Sequence, residues 1–153
     1  MTDVERPELD LIHRIRALTI RLDLLGASFA GRNRMHPTDV RALIALLDAE
    51  RDGRAASPGE LGSQLQLNSA SVTALVDRLE RADLVARERV PGDRRRVRLT
   101  VTDRARELGW EFFGPLIERA LGVVDEFSEA ELDVVRRFVT ALDSAVGEAD
   151  TST

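Results

Sequence analysis

The feature that most constrains this chain is a change of hydrophobic period within residues 57–100. Before Leu84 the apolar residues recur at helical spacing. Residues 85–90 and 96–99 instead alternate apolar and polar side chains around a turn at residues 91–94. A helical segment that runs directly into such a hairpin predicts a two-stranded wing packed beside helices.

Two short helices are expected before the wing. Ser57 and Glu60 form an S-x-x-E capping box with Pro58 at the first helical position, so a helix should begin there and end by about Leu67. Asn68 can cap a second helix. The buried face of that helix is expected to consist of Val72, Leu75, Val76 and Leu79. Together with the hairpin, these helices predict a winged helix-turn-helix.

Long helices are expected on the N-terminal side. Residues 8–30 carry a heptad-like apolar seam, and Gly31 with Asn33 should stop that helix. A second helix should run from Thr38, its expected N-cap, to Glu50. Its inward residues are expected to be Val40, Leu43, Ile44 and Leu47.

Two more helices are expected after the wing. Thr100 is the expected cap of the first, which Pro115 should kink rather than end. Ser128 and Glu131 form a second capping box that opens the last helix, with a frayed tail after Gly147.

The predicted fold is therefore mainly α with a small β wing, in the order of four helices, wing, two helices. We expect one domain over residues 1–153. Within it, residues 38–100 should form a winged helix-turn-helix DNA-binding lobe, and residues 8–30 and 101–147 a helical dimerisation lobe. The terminal seams exceed what one small core needs, which favours a homodimer, although a self-contained bundle is the alternative.

Charge is unevenly distributed along the sequence. The net charge is −5, yet residues 78–106 contain ten arginines and five acidic residues. A local excess of this kind predicts a dedicated face for a polyanion. The chain has no cysteine, no tyrosine and two histidines outside any metal-binding spacing, so we expect no enzyme, cofactor or metal site. The charged N-terminus and the lack of a long apolar run predict a cytoplasmic protein without membrane association.

The runs LNSASVTALVDRLERADLVAR and DRRRVRLT resemble the recognition helix and wing of the MarR (multiple antibiotic resistance regulator) family. The resemblance implies a homodimeric repressor that binds pseudo-palindromic promoter DNA and responds to a small aromatic or lipophilic effector. Two departures matter. Asp103 stands where the family often has glycine, and the absence of cysteine excludes thiol-based redox sensing.

Candidate DNA contacts follow from these segments. Hydroxyls at the start of the recognition helix can meet base edges or phosphates, and the alanines let the helix lie deep in the groove. Those candidates are Ser69, Ala70, Ser71, Thr73 and Ala74, with Arg78 better placed for a phosphate. Arg94, Arg95 and Arg96 are the wing candidates, and Asp93 is expected to hold an arginine of the turn, Arg95. The alternatives are serines that merely start a helix and a solvated arginine loop.

The resemblance places an effector between the dimer helices and the DNA-binding lobe. Five polar or aromatic residues near those segments are candidates, each with ordinary packing as the alternative: His13, Arg16, His36, Trp110 and Phe113. The rival function is a winged-helix module that binds a protein without specific DNA binding. The arginine-rich wing on an acidic chain favours DNA, because a protein-binding wing more often exposes apolar groups.

Overall fold

A computed structural model describes residues 7–151, except for the side chains of residues 7, 94, 95, 150 and 151. The fold is mainly helical with one two-stranded antiparallel sheet, as predicted. Its elements are α1 (Pro7–Arg32), α2 (Pro37–Arg51), α3 (Pro58–Leu65), α4 (Ser69–Arg81), β1 (Val85–Val90), β2 (Asp93–Val101), α5 (Asp103–Val124) and α6 (Glu129–Thr151).

The chain divides after Leu108 into two compact units. The first unit contains α1 to α4, the sheet and the first turns of α5, and the second contains the remainder of α5 and α6. In the described residues no helix combines the length and the hydropathy that crossing a membrane requires. The predicted division into a DNA-binding lobe and a dimerisation lobe stays a prediction.

The core of the first unit joins α2, α3, α4 and the sheet. All four residues expected on the inner face of α4 are buried, which confirms its orientation. Leu46 of α2, Leu61 of α3 and Leu99 of β2 complete the same cluster, each no more than 2% exposed. The inner face of α2 differs from the prediction, because Ile44 is 46% exposed whereas Leu46 and the small alanines of α2 are buried.

The helix-turn-helix begins and turns as its sequence predicts. The Ser57 hydroxyl accepts from the Glu60 N–H at 3.2 Å, and the Glu60 carboxylate accepts from the Ser57 N–H at 2.7 Å. The Asn68 side chain accepts from the Ser71 N–H at 2.9 Å and caps α4. A Cβ on Gly62 would lie 2.9 Å from the Val72 side chain, so α3 and α4 approach this closely only because Gly62 has no side chain.

Helix caps outside this motif differ from the predictions. Thr38 is not the N-cap of α2, because that helix begins at Pro37 and His36 occupies the capping position. Thr100 is not the cap of α5, because it lies in β2 opposite Ala86. The hydroxyl of Thr102 accepts from the Ala105 N–H at 3.2 Å and caps α5 instead.

Two helix ends differ in detail from the predictions. α1 continues through Gly31 to Arg32 and ends where Arg34 adopts a left-handed conformation with φ of 54°. The Asn33 side chain donates to the Phe29 carbonyl at 2.9 Å just beyond this end. α6 continues through Gly147 to Thr151, because a single glycine costs a helix only about 1 kcal/mol.

The wing has a tighter turn than predicted. β2 begins at Asp93, so Pro91 and Gly92 alone form the turn, and Gly92 supplies the positive φ of 88°. The register pairs Arg89 with Val97 and then Val90 with Asp93. Residues 94–96 therefore have no partner in β1 and form an irregular, extended tip.

In the second unit, α5 continues through Pro115, so this proline does not end the helix. Ser128 and Glu131 open α6 through the predicted capping box, with the Ser128 N–H donating to the Glu131 carboxylate at 2.8 Å. Large apolar side chains remain exposed on both helices, among them Leu121 and Val139 at 56% each.

Candidate nucleic-acid interface

The outer face of α4 carries small side chains. Five residues predicted to contact DNA are exposed there: Ser69, Ala70, Ser71, Thr73 and Ala74. The burial of the opposite face against α2, α3 and the sheet fixes which residues point outward. The Thr73 hydroxyl donates to the Ser69 carbonyl at 2.9 Å, so its donor is used within the helix.

Arg78 has a structural partner that the sequence pattern did not reveal. Its guanidinium contacts the Asp39 carboxylate through Nε at 3.1 and 3.2 Å and through Nη2 at 2.5 Å. Asp39 is 2% exposed and also accepts from the His36 N–H at 2.9 Å. The side-chain hydrogen bond with Asp39 raises the pKa of Arg78 above its ordinary value, although burial opposes this. The pair ties α4 to α2, and phosphate contact by Arg78 stays a prediction.

Arg87 of β1 ties the wing to α4 on the other flank. Its guanidinium lies 2.6 Å from the Asp77 carboxylate and also bridges to Glu80. The Arg87 N–H donates to the second oxygen of Glu80 at 3.1 Å. Burial lowers the pKa of Arg87, but the two carboxylates outweigh that effect and the net change is upward. This cluster neutralises two carboxylates that belong to the recognition helix.

The remaining arginines of residues 78–106, here called the basic segment, fall into two groups, those with an ion pair and those without. Arg98 pairs with Glu88 across the sheet at 2.5 Å, and Arg106 pairs with Glu50 at 2.5 Å. Among the described side chains of residues 78–106, four exposed arginines form no ion pair: Arg81, Arg89, Arg96 and Arg104. Cations that lack an internal partner are the ones available to phosphates.

Arg96 was predicted as a wing contact, and it is exposed on the irregular tip. The side chains of Arg94 and Arg95 lie outside the described residues, so their DNA contacts and the pairing of Arg95 with Asp93 stay predictions. Sequence reasoning missed Arg81 and Arg89 as candidates. The alternation along β1 was an available signal for Arg89, because it shares the face of Arg87.

The five residues proposed for an effector belong to both units, and their role stays a prediction. His13 and Arg16 are exposed on α1, and His36 is exposed at the start of α2. Trp110 is 57% exposed, and Phe113 packs edge-on against Phe112 with ring centroids 4.9 Å apart. No group of three or more potential metal ligands occurs among the described residues.

A pocket of about 250 Å³ lies between α1 and α2. Apolar atoms of Leu22, Ala27, Val40 and Ile44 line it, and Arg41 stands at its edge. Arg41 pairs there with Asp23 of α1 at 2.8 Å. None of the five predicted effector residues lines this pocket, which sequence reasoning missed because its walls come from two helices.

The fold and this face define a winged helix-turn-helix protein. Residues 35–96 match the sequence profile of the MarR family. The chain is 33% identical over 138 residues to YcgE of Bacillus subtilis, described as an HTH-type transcriptional regulator, covering 90% of this chain and 85% of YcgE. It is 29% identical to the HTH-type transcriptional regulator PecS of Dickeya dadantii, covering 88% of this chain and 76% of PecS.

Solved structures show the same fold. The Staphylococcus aureus MepR structure in its DNA-binding conformation has a TM-score of 0.66 at 18% identity, covering 89% of this chain and 98% of MepR. The MepR–DNA complex has a TM-score of 0.56 at 20% identity, covering 86% and 96%.

This chain belongs to the MarR family and is a DNA-binding transcriptional regulator. The family resemblance inferred from the recognition helix and wing is thereby confirmed. Membership in a family of regulators also confirms that the chain is not an enzyme, and it removes the basis for a protein-binding module without DNA recognition.

Proposed function

We propose that this regulator binds a pseudo-palindromic operator as a homodimer, with each α4 in a major groove and each wing beside the backbone. The observation that carries the proposal is the N-terminal part of the outer face of α4, which is exposed and carries small side chains, on a helix that ion pairs join to α2 and β1. A helix of this kind can lie deep enough to reach base edges.

Electrostatics supports the same face. Within the described side chains of residues 78–106, the exposed arginines without ion pairs lie on α4, both strands of the wing and the start of α5. Phosphates would be attracted there and repelled by the acidic remainder of the chain. The structure of the MepR–DNA complex illustrates that a protein of this fold can bind DNA.

Exposed apolar residues support the homodimer. Leu11, Leu18 and Leu22 of α1 are 46 to 56% exposed, and Val139 and Val146 of α6 are 56% and 63% exposed. A monomer rarely leaves such continuous apolar faces in water, whereas a second copy of the chain would cover them. These exposed residues belong to the periodic apolar patterns that the sequence shows in its N-terminal and C-terminal helices.

The dimer can be tested with one charge placed on the apolar face of α5. Leu121→Glu should shift the sedimentation coefficient toward a monomer and abolish operator binding at the same chain concentration. Arg119→Glu changes more charge on the opposite side of the helix and should stay dimeric. A Leu121→Glu protein that remains a DNA-binding dimer would refute this interface.

DNA recognition can be tested by selecting bound sequences from a randomised duplex library. Half-sites related by two-fold symmetry should be enriched with centres about 10 bp apart. On the selected duplex, Ser71→Ala should cost about 1–3 kcal/mol if its hydroxyl reads a base, with little change on scrambled DNA. Arg94→Ala should weaken both duplexes equally and reduce the salt dependence. If neither substitution in a folded dimer changes operator affinity, the DNA-binding face is elsewhere.

We also propose repression that a small aromatic or lipophilic effector relieves, in a cytoplasmic setting. The pocket between α1 and α2 supports an effector site, because its apolar lining suits an aromatic ring, and a carboxylate on that ring would compete with Asp23 for the Arg41 guanidinium. Benzoate should raise the melting temperature and weaken operator binding. Ala27→Met, which fills the pocket, should remove both effects while leaving operator affinity unchanged. Benzoate effects that persist in this variant would place the site elsewhere.

A further inference from the structure

The polar groups of α4 that could read bases are largely used inside the protein. The Thr73 hydroxyl donates to a backbone carbonyl of its own helix at 2.9 Å. The Asp77 carboxylate is held by Arg87 at 2.6 Å, and the Arg78 guanidinium by the buried Asp39 at 2.5 Å. Three of the side chains with the greatest capacity for base-specific hydrogen bonds are therefore already engaged.

Methyl groups remain at the centre of the outer face. Ala70 and Ala74 are exposed one helical turn apart, opposite the buried stripe that includes Val72 and Val76. Thr73, at the position before Ala74, is also exposed and carries a γ-methyl group. We call Ala70, Thr73 and Ala74 the methyl strip. Four residues of helix span about 6 Å, and stacked base pairs are about 3.4 Å apart, so this strip can face about two base pairs.

The strip has a chemical counterpart in the major groove. Thymine is the only base that presents a methyl group there, and alanine and threonine methyls are common contacts for it. Guanine is instead read by arginine or lysine. In the described residues of α4, Arg81 is the one arginine without an ion pair, and it lies at the far end of the helix.

We propose that α4 selects half-sites in which thymine C5-methyl groups contact Ala70, Thr73 and Ala74. The inference rests on the proposed operator binding and names the base type that the recognition helix reads. These apolar contacts then add to the specificity that the Ser71 hydroxyl supplies beside them.

The test removes thymine methyls without changing hydrogen bonding. In the duplex selected from the randomised library, each thymine of the half-site is replaced by deoxyuridine, and affinity is measured by fluorescence anisotropy. Replacing a thymine that contacts Ala70, Thr73 or Ala74 should weaken binding roughly fourfold, because burying one methyl group contributes about 0.8 kcal/mol. Replacement outside the half-sites should have no effect, and the salt dependence should stay the same because no phosphate contact changes.

A second comparison assigns the contact to a residue. In Ala74→Gly the penalty for deoxyuridine should fall from fourfold to near onefold at one position, because the protein methyl that met thymine is gone. Glycine also destabilises the helix, but this effect is the same with the thymine and the deoxyuridine duplex, so it cancels in the ratio of their two affinities. Ala82→Gly, at the C-terminal end of α4, serves as the control and should keep the full penalty.

The outcomes separate the inference from the proposed function. Half-sites enriched only in G·C pairs, or deoxyuridine penalties below about 1.5-fold at every thymine, would overturn thymine recognition and leave operator binding intact. A library that shows no enrichment at all would overturn both. Enrichment of thymine with the expected penalties, lost at one position in Ala74→Gly, would establish the contact.

Discussion

The ion pair between Asp39 and Arg78 predicts an unusual pattern of stability. Asp39 is 2% exposed and has two kinds of donor, the Arg78 guanidinium and the His36 N–H. Arg78→Ala removes the only cation that faces this carboxylate in the described residues. The charge of Asp39 is then left almost buried and without compensation.

Removing one partner of a buried pair typically costs about 3–5 kcal/mol. The lower end applies here, because the Arg78 side chain is 39% exposed and because Asp39 stays near the positive end of α2. We therefore expect Arg78→Ala to lose about 3 kcal/mol of unfolding free energy. Asn at position 39 needs no cation and can still accept the His36 N–H, so the double variant Asp39→Asn with Arg78→Ala should recover about 1–2 kcal/mol of that loss.

Urea denaturation at one fixed chain concentration measures both variants, since dimer stability depends on concentration. Arg81→Ala provides the control, because that exposed arginine has no ion pair among the described residues and should change stability by less than about 0.5 kcal/mol. If the double variant is less stable than Arg78→Ala alone, the carboxylate does not depend on Arg78 for its compensation.

Three further predictions concern other parts of the structure. Arg87→Ala should weaken operator binding by exposing two carboxylates on α4, and adding Asp77→Asn and Glu80→Gln should restore most of the affinity; no recovery in a titration would mean that Arg87 itself contacts phosphate. The Ser128 hydroxyl and N–H lower the pKa of Glu131, so the capping box should stabilise the protein above the ordinary glutamate pKa and lose that contribution as pH falls through the lowered value. Glu131→Gln should flatten this part of the stability profile, and an unchanged profile would contradict it. Gly62→Ala should cost about 1–3 kcal/mol in thermal unfolding, because its Cβ would lie 2.9 Å from Val72 Cγ2; a neutral result would show that the two helices separate easily.

The elements that sequence predicted well are those with local causes. The Ser57 box and the Asn68 cap act within three residues, and the buried stripe of α4 follows directly from its period. Local competition between similar residues caused the errors at helix ends. Thr100 and Thr102 can both cap a helix, and only the pairing of β2 through Val101 decides between them.

The ion pairs could not be predicted, because they join residues from separate elements. Asp39 and Arg78 are 39 positions apart in the sequence, and a helical pattern shows only that each lies near the start or end of its helix. The basic segment of residues 78–106 consequently suggested more available cations than the structure provides. Arg78, Arg87, Arg98 and Arg106 are engaged within the protein.

The most direct test of operator recognition by a two-fold dimer is affinity for a re-spaced operator. Inserting five base pairs between the selected half-sites turns one of them by about half a helical turn and leaves every base of each half-site intact. The account predicts that affinity falls to the level of a single half-site. Undiminished affinity for the re-spaced duplex would contradict a dimer that places its two α4 helices on one face of the DNA.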